Sequence, residues 1–226
     1  MKKKMLIVVT NYSGVGVEGA EIVDTGVYLE EFAVPFLIFE KSDVDMTTAS
    51  LKGGLSPVDE GSMSCSNPDE WDKCIKILRN TKNLYDINLD EFDGIYFPGG
   101  HGPLFDIAQN KKIKETVEYF YSKGKLISAI CHGVCALLGA KDEFGDFILK
   151  GRNITSFTNE EERIIKLNDI VPLSIEDEAK KEGANYIAQK AWSEHVEVSR
   201  NIITGQNQNS ATLTAEKILE YFNYGS

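Results

Sequence analysis

The stretch KLISAICHGVCALLGA, residues 125–140, contains the transition on which the fold depends. Its first six residues read as a strand buried on both faces, and apolar residues then recur at helical spacing. A cysteine and a histidine, Cys131 and His132, stand at the junction. The stretch therefore predicts a strand that turns sharply into a helix, with a thiol at the turn.

Small residues flank Cys131 where a tight strand-to-helix turn requires them. Ala129 and Gly133 lie two residues before and after it, as in turns that expose a nucleophile. A helix N-terminus and an adjacent imidazole both favour a thiolate, so we expect the pKa of Cys131 to be lowered. Cys135 follows one helical turn later and is expected to belong to the core.

Strand-like and helix-like patterns alternate along the chain. The apolar runs are residues 5–10, 44–50, 94–98 and 125–130, followed by less regular strand-like segments at 147–157 and 196–205. The helix-like segments are residues 25–42, 67–80, 110–124, 158–167, 174–183 and 209–222. This alternation predicts one α/β domain, residues 1–226, with a mainly parallel sheet covered by helices on both faces. Pro35 predicts a kink or break in the first helix, and Gly124 the end of the third.

The composition and net charge of the chain argue against several classes of protein. The chain has 226 residues and a net charge of −11, which argues against a nucleic-acid-binding surface. Nothing in it reaches the roughly 18 consecutive apolar residues of a membrane span, and no secretory signal is recognised. Four cysteines (Cys65, Cys74, Cys131 and Cys135) are not spaced as a disulfide framework, which suggests a reducing cytoplasm.

A glycine-rich stretch follows the strand before Cys131. FPGGHGPLFD, residues 97–106, also lies past the carboxyl end of a strand, where parallel sheets bind ligands. Consecutive glycines let the backbone approach such a ligand closely. The three histidines, His101, His132 and His195, show no zinc-like spacing, so we expect neither a metal site nor another cofactor.

Three motifs together resemble a known family. AICHGVCALL, YFPGGHGPLFD and ASLKGGLSPVD are similar to the PfpI-like superfamily, also called the class I glutamine amidotransferase-like fold. Within it the chain resembles the heat-shock chaperone and glyoxalase III branch, and TGVYLEEFAVPF, NITSFTNEEE and IITGQNQNSA extend the similarity over nearly the whole chain. The resemblance implies a flavodoxin-like three-layer α/β/α sandwich and, commonly, a homodimer.

The resemblance also implies roles for residues. Cys131 matches the nucleophile, His132 the base beside it, Glu162 the acid that orients the histidine, and Glu31 the carboxyl group that contacts the thiol. Gly99, Gly100 and His101 match the oxyanion and substrate-binding loop, together with the backbone N–H of His132. A carboxylate bound to the imidazole favours its protonation, whereas burial beside a thiolate should raise the pKa of Glu31.

Three functions are compatible with these residues. The resemblance implies a cofactor-independent glyoxalase or D-lactate dehydratase-type lyase that converts methylglyoxal to lactate, or a related deglycase acting on glycated substrates in carbonyl-stress defence. A cysteine amidase or peptidase would use the same thiol, base and oxyanion hole. A stress-related holding chaperone would depend on an exposed apolar patch instead.

A second histidine motif leaves an amidotransferase-like alternative. His195 and Glu197 would share one face of a strand, as in the late His-x-Glu of glutamine amidotransferases. The proline that normally separates such a pair is absent, and no synthetase domain accompanies it. We therefore favour a Cys131–His132–Glu162 triad with Glu31 as an auxiliary acid or base.

Overall fold

The computed structural model describes residues 2–15, 23–63 and 68–224. The strands are β1 (Lys4–Val9), β2 (Gly14–Val15), β3 (Val23–Asp24), β4 (Asp45–Ser50), β5 (Lys82–Asn83), β6 (Gly94–Phe97), β7 (Leu126–Ile130), β8 (Asn153–Ile154), β9 (Asn185–Tyr186), β10 (Val196–Ser199) and β11 (Ile202–Gly205). The α-helices are α1 (Leu29–Lys41), α2 (Glu60–Met63), α3 (Pro68–Leu78), α4 (Pro103–Asp106), α5 (Lys111–Ser122), α6 (Asn159–Ile164), α7 (Ile175–Lys181) and α8 (Ala211–Tyr224).

Seven of these strands form one sheet in the order β10-β11-β7-β6-β1-β4-β5. Every neighbouring pair is parallel except β10 and β11, which form an antiparallel hairpin at one edge. The expected mainly parallel sheet is therefore confirmed. Because β6 and β7 are central neighbours, their carboxyl ends place the segments beginning at Pro98 and Cys131 side by side.

Both faces of the sheet are buried. Along β1, Leu6 and Val8 point into one apolar core and Met5, Ile7 and Val9 into the other. Helix α5 covers the first face, whereas α1, α3 and α8 cover the second. The period-two alternation of strand side chains thus produces the predicted three layers.

Several local predictions need correction. The segment after Cys131 is a 3₁₀ helix, Cys131–Leu137, not an α-helix. Of the strand expected at residues 147–157, only Asn153–Ile154 is extended.

Gly124 follows the end of α5 with φ +64°, as predicted for a helix stop.

Pro35 does not break its helix. α1 runs from Leu29 to Lys41 with Pro35 inside it. Proline lacks the N–H that would bond the carbonyl four residues earlier, which belongs to Glu31. That carbonyl accepts a 2.6 Å hydrogen bond from the buried Tyr96 hydroxyl instead. A strand side chain therefore replaces the missing helical bond.

No helix among the described residues is long and apolar enough to cross a membrane. Cys65 lies outside the described residues, and Cys74 is buried in α3. Cys135 is buried in the core, as expected, and its thiol donates to the Pro103 carbonyl at 3.4 Å.

Candidate active site

Cys131 occupies a strained turn at the carboxyl end of β7. Its φ is +55°, a left-handed conformation that non-glycine residues rarely adopt and that recurs at functional sites. Gly133 makes the turn possible, because a Cβ there would lie 2.2 Å from the Phe97 carbonyl oxygen. The predicted tight turn around the cysteine is confirmed.

The loop after β6 packs against this turn. Gly100 has φ +91°, and a Cβ on it would lie 2.3 Å from the Gly26 carbonyl oxygen. Gly100 and His101 line the cavity over Cys131, whereas Gly99 does not. The Gly99 N–H donates to Glu31 Oε2 at 2.7 Å, so Gly99 holds Glu31 instead of supplying the expected oxyanion contact.

His132 connects the thiol to a carboxylate. Its Nδ1 lies 3.3 Å from Cys131 Sγ, and its Nε2 lies 2.7 Å from Glu162 Oε2. With Nε2–H donating to Glu162, the Nδ1 lone pair faces the thiol. The three residues expected to form a triad are therefore in hydrogen-bonding contact in the order Cys131, His132, Glu162.

Helix α6 carries Glu162 and is held by its neighbour Glu161. Thr158 and Glu161 form a reciprocal capping box at the helix start. Glu161 is fully buried, and its Oε1 accepts hydrogen bonds from the Trp192 N–H at 2.9 Å and from the side chains of Gln206 and Asn207 at 3.1 and 2.7 Å. Glu161 thus joins α6 to the segment after β11 and fixes the position of Glu162.

Glu31 approaches the thiol from α1. The side chain is fully buried, its Oε2 accepts from Gly99, and its Oε1 has no hydrogen-bond partner among the described residues. Burial raises the pKa of Glu31 to about 8, and the neighbouring Cys131 side chain and the Gly99 N–H oppose this rise. Glu31 is therefore mainly protonated at neutral pH, and its carboxyl group is a neighbour of the Cys131 thiol.

Burial changes the expected charges of the other two groups. It raises the pKa of the Cys131 thiol well above its usual range, and Glu31 raises it further. Burial and the neighbouring His101 lower the pKa of His132 to about 4, although Glu162 acts in the opposite direction. The expectations of a lowered thiol pKa and a protonated imidazole are wrong for the free protein. A neutral thiol donates to a neutral imidazole, which can act as a general base.

Glu162 binds two histidines. Its Oε1 lies 2.9 Å from His101 Nε2, and the His101 and His132 rings pack with centroids 4.1 Å apart. Burial alone would raise the pKa of Glu162, but the hydrogen bonds from His101 and His132 lower it to about 2. The carboxylate is therefore ionised at neutral pH and orients both rings.

These three side chains are also a possible set of metal ligands. The ligand atoms of His101, His132 and Glu162 lie within 4.8 Å of one another, a grouping that the sequence spacing did not reveal. Binding an ion would require both Nε2 atoms to give up the protons that they donate to Glu162. The hydrogen bonds alone account for the grouping.

The alternative histidine is not brought to the thiol. His195 Nε2 lies 3.1 Å from Glu197 Oε1 at the start of β10, on the edge hairpin. Neither residue lines the cavity over Cys131. The amidotransferase-like role of this pair is therefore not supported.

The family follows from the match of nearly the whole chain. Residues 22–221 match the model of the DJ-1/PfpI family. The chain belongs to the DJ-1/PfpI family. Glyoxalase 3 of Candida albicans is 31% identical, with 97% of this chain and 98% of that protein covered. The glutathione-independent glyoxalase HSP31 of Saccharomyces cerevisiae is 30% identical, with coverage of 96% and 97%.

A solved structure agrees with this placement in the family. The crystal structure of glyoxalase III from C. albicans superposes with a TM-score of 0.85 at 30% identity, covering 97% of each chain. The fold implied by the sequence resemblance is confirmed.

Two features of this DJ-1/PfpI site were missed from the sequence. His101 was expected only in the oxyanion and substrate loop, yet it shares Glu162 with His132. Glu161 is not among the site residues expected from the sequence, yet it is the buried anchor of α6. The capping pattern Thr158-x-x-Glu161 is a signal that could have identified Glu161.

Proposed function

We propose that this chain is a cysteine-dependent, glutathione-independent glyoxalase that converts methylglyoxal and related α-oxoaldehydes to α-hydroxy acids. One observation carries the proposal: the thiol of Cys131 has both a neutral base, His132, and a neutral acid, Glu31, as neighbours. Isomerisation of an oxoaldehyde requires proton transfers in both directions, which two such groups can supply.

The first step would form a hemithioacetal. As Cys131 Sγ bonds to the aldehyde carbon, the thiol proton passes to His132 Nδ1 and the carbonyl electron pair moves to oxygen. Backbone N–H groups of Gly100 and His132 would stabilise that oxygen. Glu162 acts through His132, by holding the tautomer that keeps Nδ1 free.

The second step would move a hydrogen between adjacent carbons. The oxygen of the hemithioacetal first takes the proton back from His132 Nδ1, so that His132 is again a base. His132 would then remove the proton of the former aldehyde carbon while Glu31 protonates the neighbouring carbonyl oxygen. That neighbouring carbon then receives the proton from His132, and the Glu31 carboxylate takes the proton of the hemithioacetal hydroxyl group. The result is a thioester of an α-hydroxy acid, which water cleaves. One carbon is oxidised as its neighbour is reduced, so no external oxidant, reductant or cofactor is needed. In this lyase-type step Glu31 would act first as an acid and then as a base.

The relatives favour this reaction over acyl transfer. A cysteine amidase needs the same thiol, base and oxyanion donors but not a buried neutral carboxyl group beside the sulfur. Two relatives of about 30% identity over nearly their full lengths are named glyoxalases. A deglycase acting on glycated amines would share the first step. The large exposed apolar side chains in the described chain, such as Leu55, Tyr85 and Phe144, lie on separate segments and do not favour a holding chaperone.

The proposal is tested by lactate production from methylglyoxal with no glutathione, before and after treatment with a chelator. We expect turnover that the chelator does not change. Cys131→Ser should lose several powers of ten in kcat with its circular dichroism spectrum preserved, because loss of a nucleophile is not compensated by the other groups. A variant that keeps more than about a tenth of the wild-type rate would contradict covalent thiol catalysis.

A homodimer and a cytoplasmic location stay predictions from the family and from cysteine usage, respectively. Light scattering of the purified chain would test the first, and imaging of a tagged chain the second.

A further inference from the structure

Apolar side chains form most of the wall of the cavity over Cys131. The cavity measures about 340 Å³. The apolar lining residues include Phe157, Ile165, Leu167, Ile170, Val171 and Trp192. Four of them lie in residues 165–171, the segment that follows α6, which we call the aliphatic wall. Cys131, His101 and His132 also line the cavity.

The aliphatic wall is an ordered part of the site. Lys166, with φ +61°, donates its N–H to the Arg163 carbonyl, and the Leu167 N–H donates to the Glu162 carbonyl at 3.2 Å, the pattern of a Schellman helix end. Ile170 and Val171 then donate to the Leu167 carbonyl at 2.9 and 3.0 Å. The wall therefore continues directly from the helix that carries Glu162.

Two aromatic side chains that line the cavity, Phe157 and Trp192, pack in succession from His132. The Phe157 ring packs on His132 with centroids 4.5 Å apart, and Trp192 packs edge-on against Phe157 at 5.7 Å. Trp192 is fixed in turn by its N–H bond to the buried Glu161. A substrate whose carbonyl end reaches Cys131 would lay its other end along this surface.

The charges of the residues that line the cavity disfavour anionic substrates. No lysine or arginine is present among the described residues that line it. Asp59 contributes an acidic side chain, which accepts a hydrogen bond from Thr25 at 3.3 Å. A phosphorylated or carboxylated substrate would therefore lose its hydration without gaining a countercharge.

The size of the cavity exceeds what methylglyoxal needs. Methylglyoxal has roughly the bulk of four water molecules of ~30 Å³ each, whereas cavities of about 300 Å³ and more hold larger ligands. Building on the proposed function, we infer that the site selects neutral α-oxoaldehydes with a larger apolar substituent, a short alkyl chain or a phenyl ring. That substituent would lie against the aliphatic wall and Trp192, and methylglyoxal would be a small, poorly held member of the class.

The test is a substrate series on the purified wild-type chain. Methylglyoxal, propylglyoxal and pentylglyoxal differ little in the reactivity of their carbonyl groups, and phenylglyoxal adds a ring. We expect kcat/KM for formation of the α-hydroxy acid to rise two- to fourfold per added methylene, reaching tenfold or more at pentylglyoxal. A chain of the same length that ends in a carboxylate should lose this gain. The phenyl compound should match or exceed pentylglyoxal.

Two variants identify the wall as the cause. Ile170→Ser, in the wall, should lower the ratio of kcat/KM for pentylglyoxal to that for methylglyoxal at least about threefold. Ile164→Ser changes a 50% exposed isoleucine that does not line the cavity and should leave the ratio unchanged. If Ile170→Ser does not fold, the wild-type series alone decides.

The outcomes separate this inference from the proposed function. Equal turnover of methylglyoxal and pentylglyoxal, or a preference for methylglyoxal, would overturn the inference and leave the glyoxalase proposal intact. Turnover of no oxoaldehyde would overturn both. A rising series that Ile170→Ser and Ile164→Ser affect equally would show that the selectivity does not come from the aliphatic wall.

Discussion

Individual side chains set the working charges of the site. Glu31 keeps its proton because its carboxyl group is fully buried. His132 stays in its neutral form, with a single ring proton, for the same reason. The acid and the base are therefore both neutral at neutral pH, and both are neighbours of the Cys131 thiol. Proton transfer, and not a preformed thiolate, prepares Cys131 for attack.

These charges predict a bell-shaped pH dependence of kcat/KM. Activity should fall below about pH 4, where His132 becomes protonated, and above about pH 8, where Glu31 loses its proton. In Glu31→Gln, whatever activity is left should lose the alkaline decline, because the amide does not ionise. Initial rates across this range check both limbs. An unchanged alkaline decline in Glu31→Gln would assign that limb to another group.

At the scale of elements, the contact between α1 and β6 positions Glu31. Pro35 leaves the Glu31 carbonyl without its helical donor, and the Tyr96 hydroxyl takes that place at 2.6 Å. The same residue thus has its carbonyl bound by β6 and its carboxyl group bound by the loop after β6. A proline that lowers helix propensity is used here to attach the helix to the sheet.

This contact predicts coupling between Tyr96 and Pro35. Tyr96→Phe should lower the free energy of unfolding by about 1–3 kcal/mol, because it leaves a buried carbonyl without a donor. In a Pro35→Ala background the cost should be smaller by about 1 kcal/mol, since residue 35 then supplies an N–H. Denaturant unfolding of the four proteins measures this.

The matched control is Tyr85→Phe, at a tyrosine that is 64% exposed, which should change stability by less than about 0.5 kcal/mol. If Tyr96→Phe lowered the free energy of unfolding equally in both backgrounds, the Tyr96 hydroxyl would not be taking the place of the missing N–H of residue 35.

At the scale of the whole molecule, the sheet order assembles the site from distant segments. The carboxyl ends of β6 and β7 are adjacent, α1 packs over them, and α6 is fixed by Glu161 to the segment after β11. Glu31 thus reaches Cys131, and Glu162 reaches His132, from opposite halves of the chain. Burial of their side chains makes the stability of the fold depend on the charges of the site.

The buried Glu31 predicts a pH dependence of stability. Its pKa rises from 4.5 to about 8 on folding, so the folded state holds a proton that the unfolded state releases above pH 4.5. The stabilisation that comes from protonated Glu31 is fully present below pH 4.5 and is lost as the pH rises towards 8. The free energy of unfolding falls over this range by at most about 1.4 kcal/mol per pH unit.

Glu31→Gln should remove that loss, so its stability relative to wild type should increase between pH 5 and 8. Urea unfolding at several pH values measures the difference. A constant difference across this range would mean that Glu31 is not protonated in the folded protein.

The sequence by itself determined the features that depend on neighbouring residues. Buried strands, the tight turn at Cys131 and the glycine loop after β6 follow from side-chain alternation and from steric limits within a few residues. Because parallel strands bring their carboxyl ends to one edge, the meeting of the two loops could also be predicted. The roles of Glu31 and Glu162 came from family resemblance, since nothing local distinguishes them from the adjacent glutamates.

Only the tertiary structure decided the protonation states and the connections between distant elements. Burial leaves Cys131 and His132 neutral, whereas a thiolate and a protonated imidazole were expected, because the cost of removing a charge from water depends on the complete surroundings. The sharing of Glu162 by His101, and the replacement of a helical bond at Pro35 by Tyr96, join groups far apart along the chain. Sequence spacing carries no information on such contacts, because packing of separate layers brings them together.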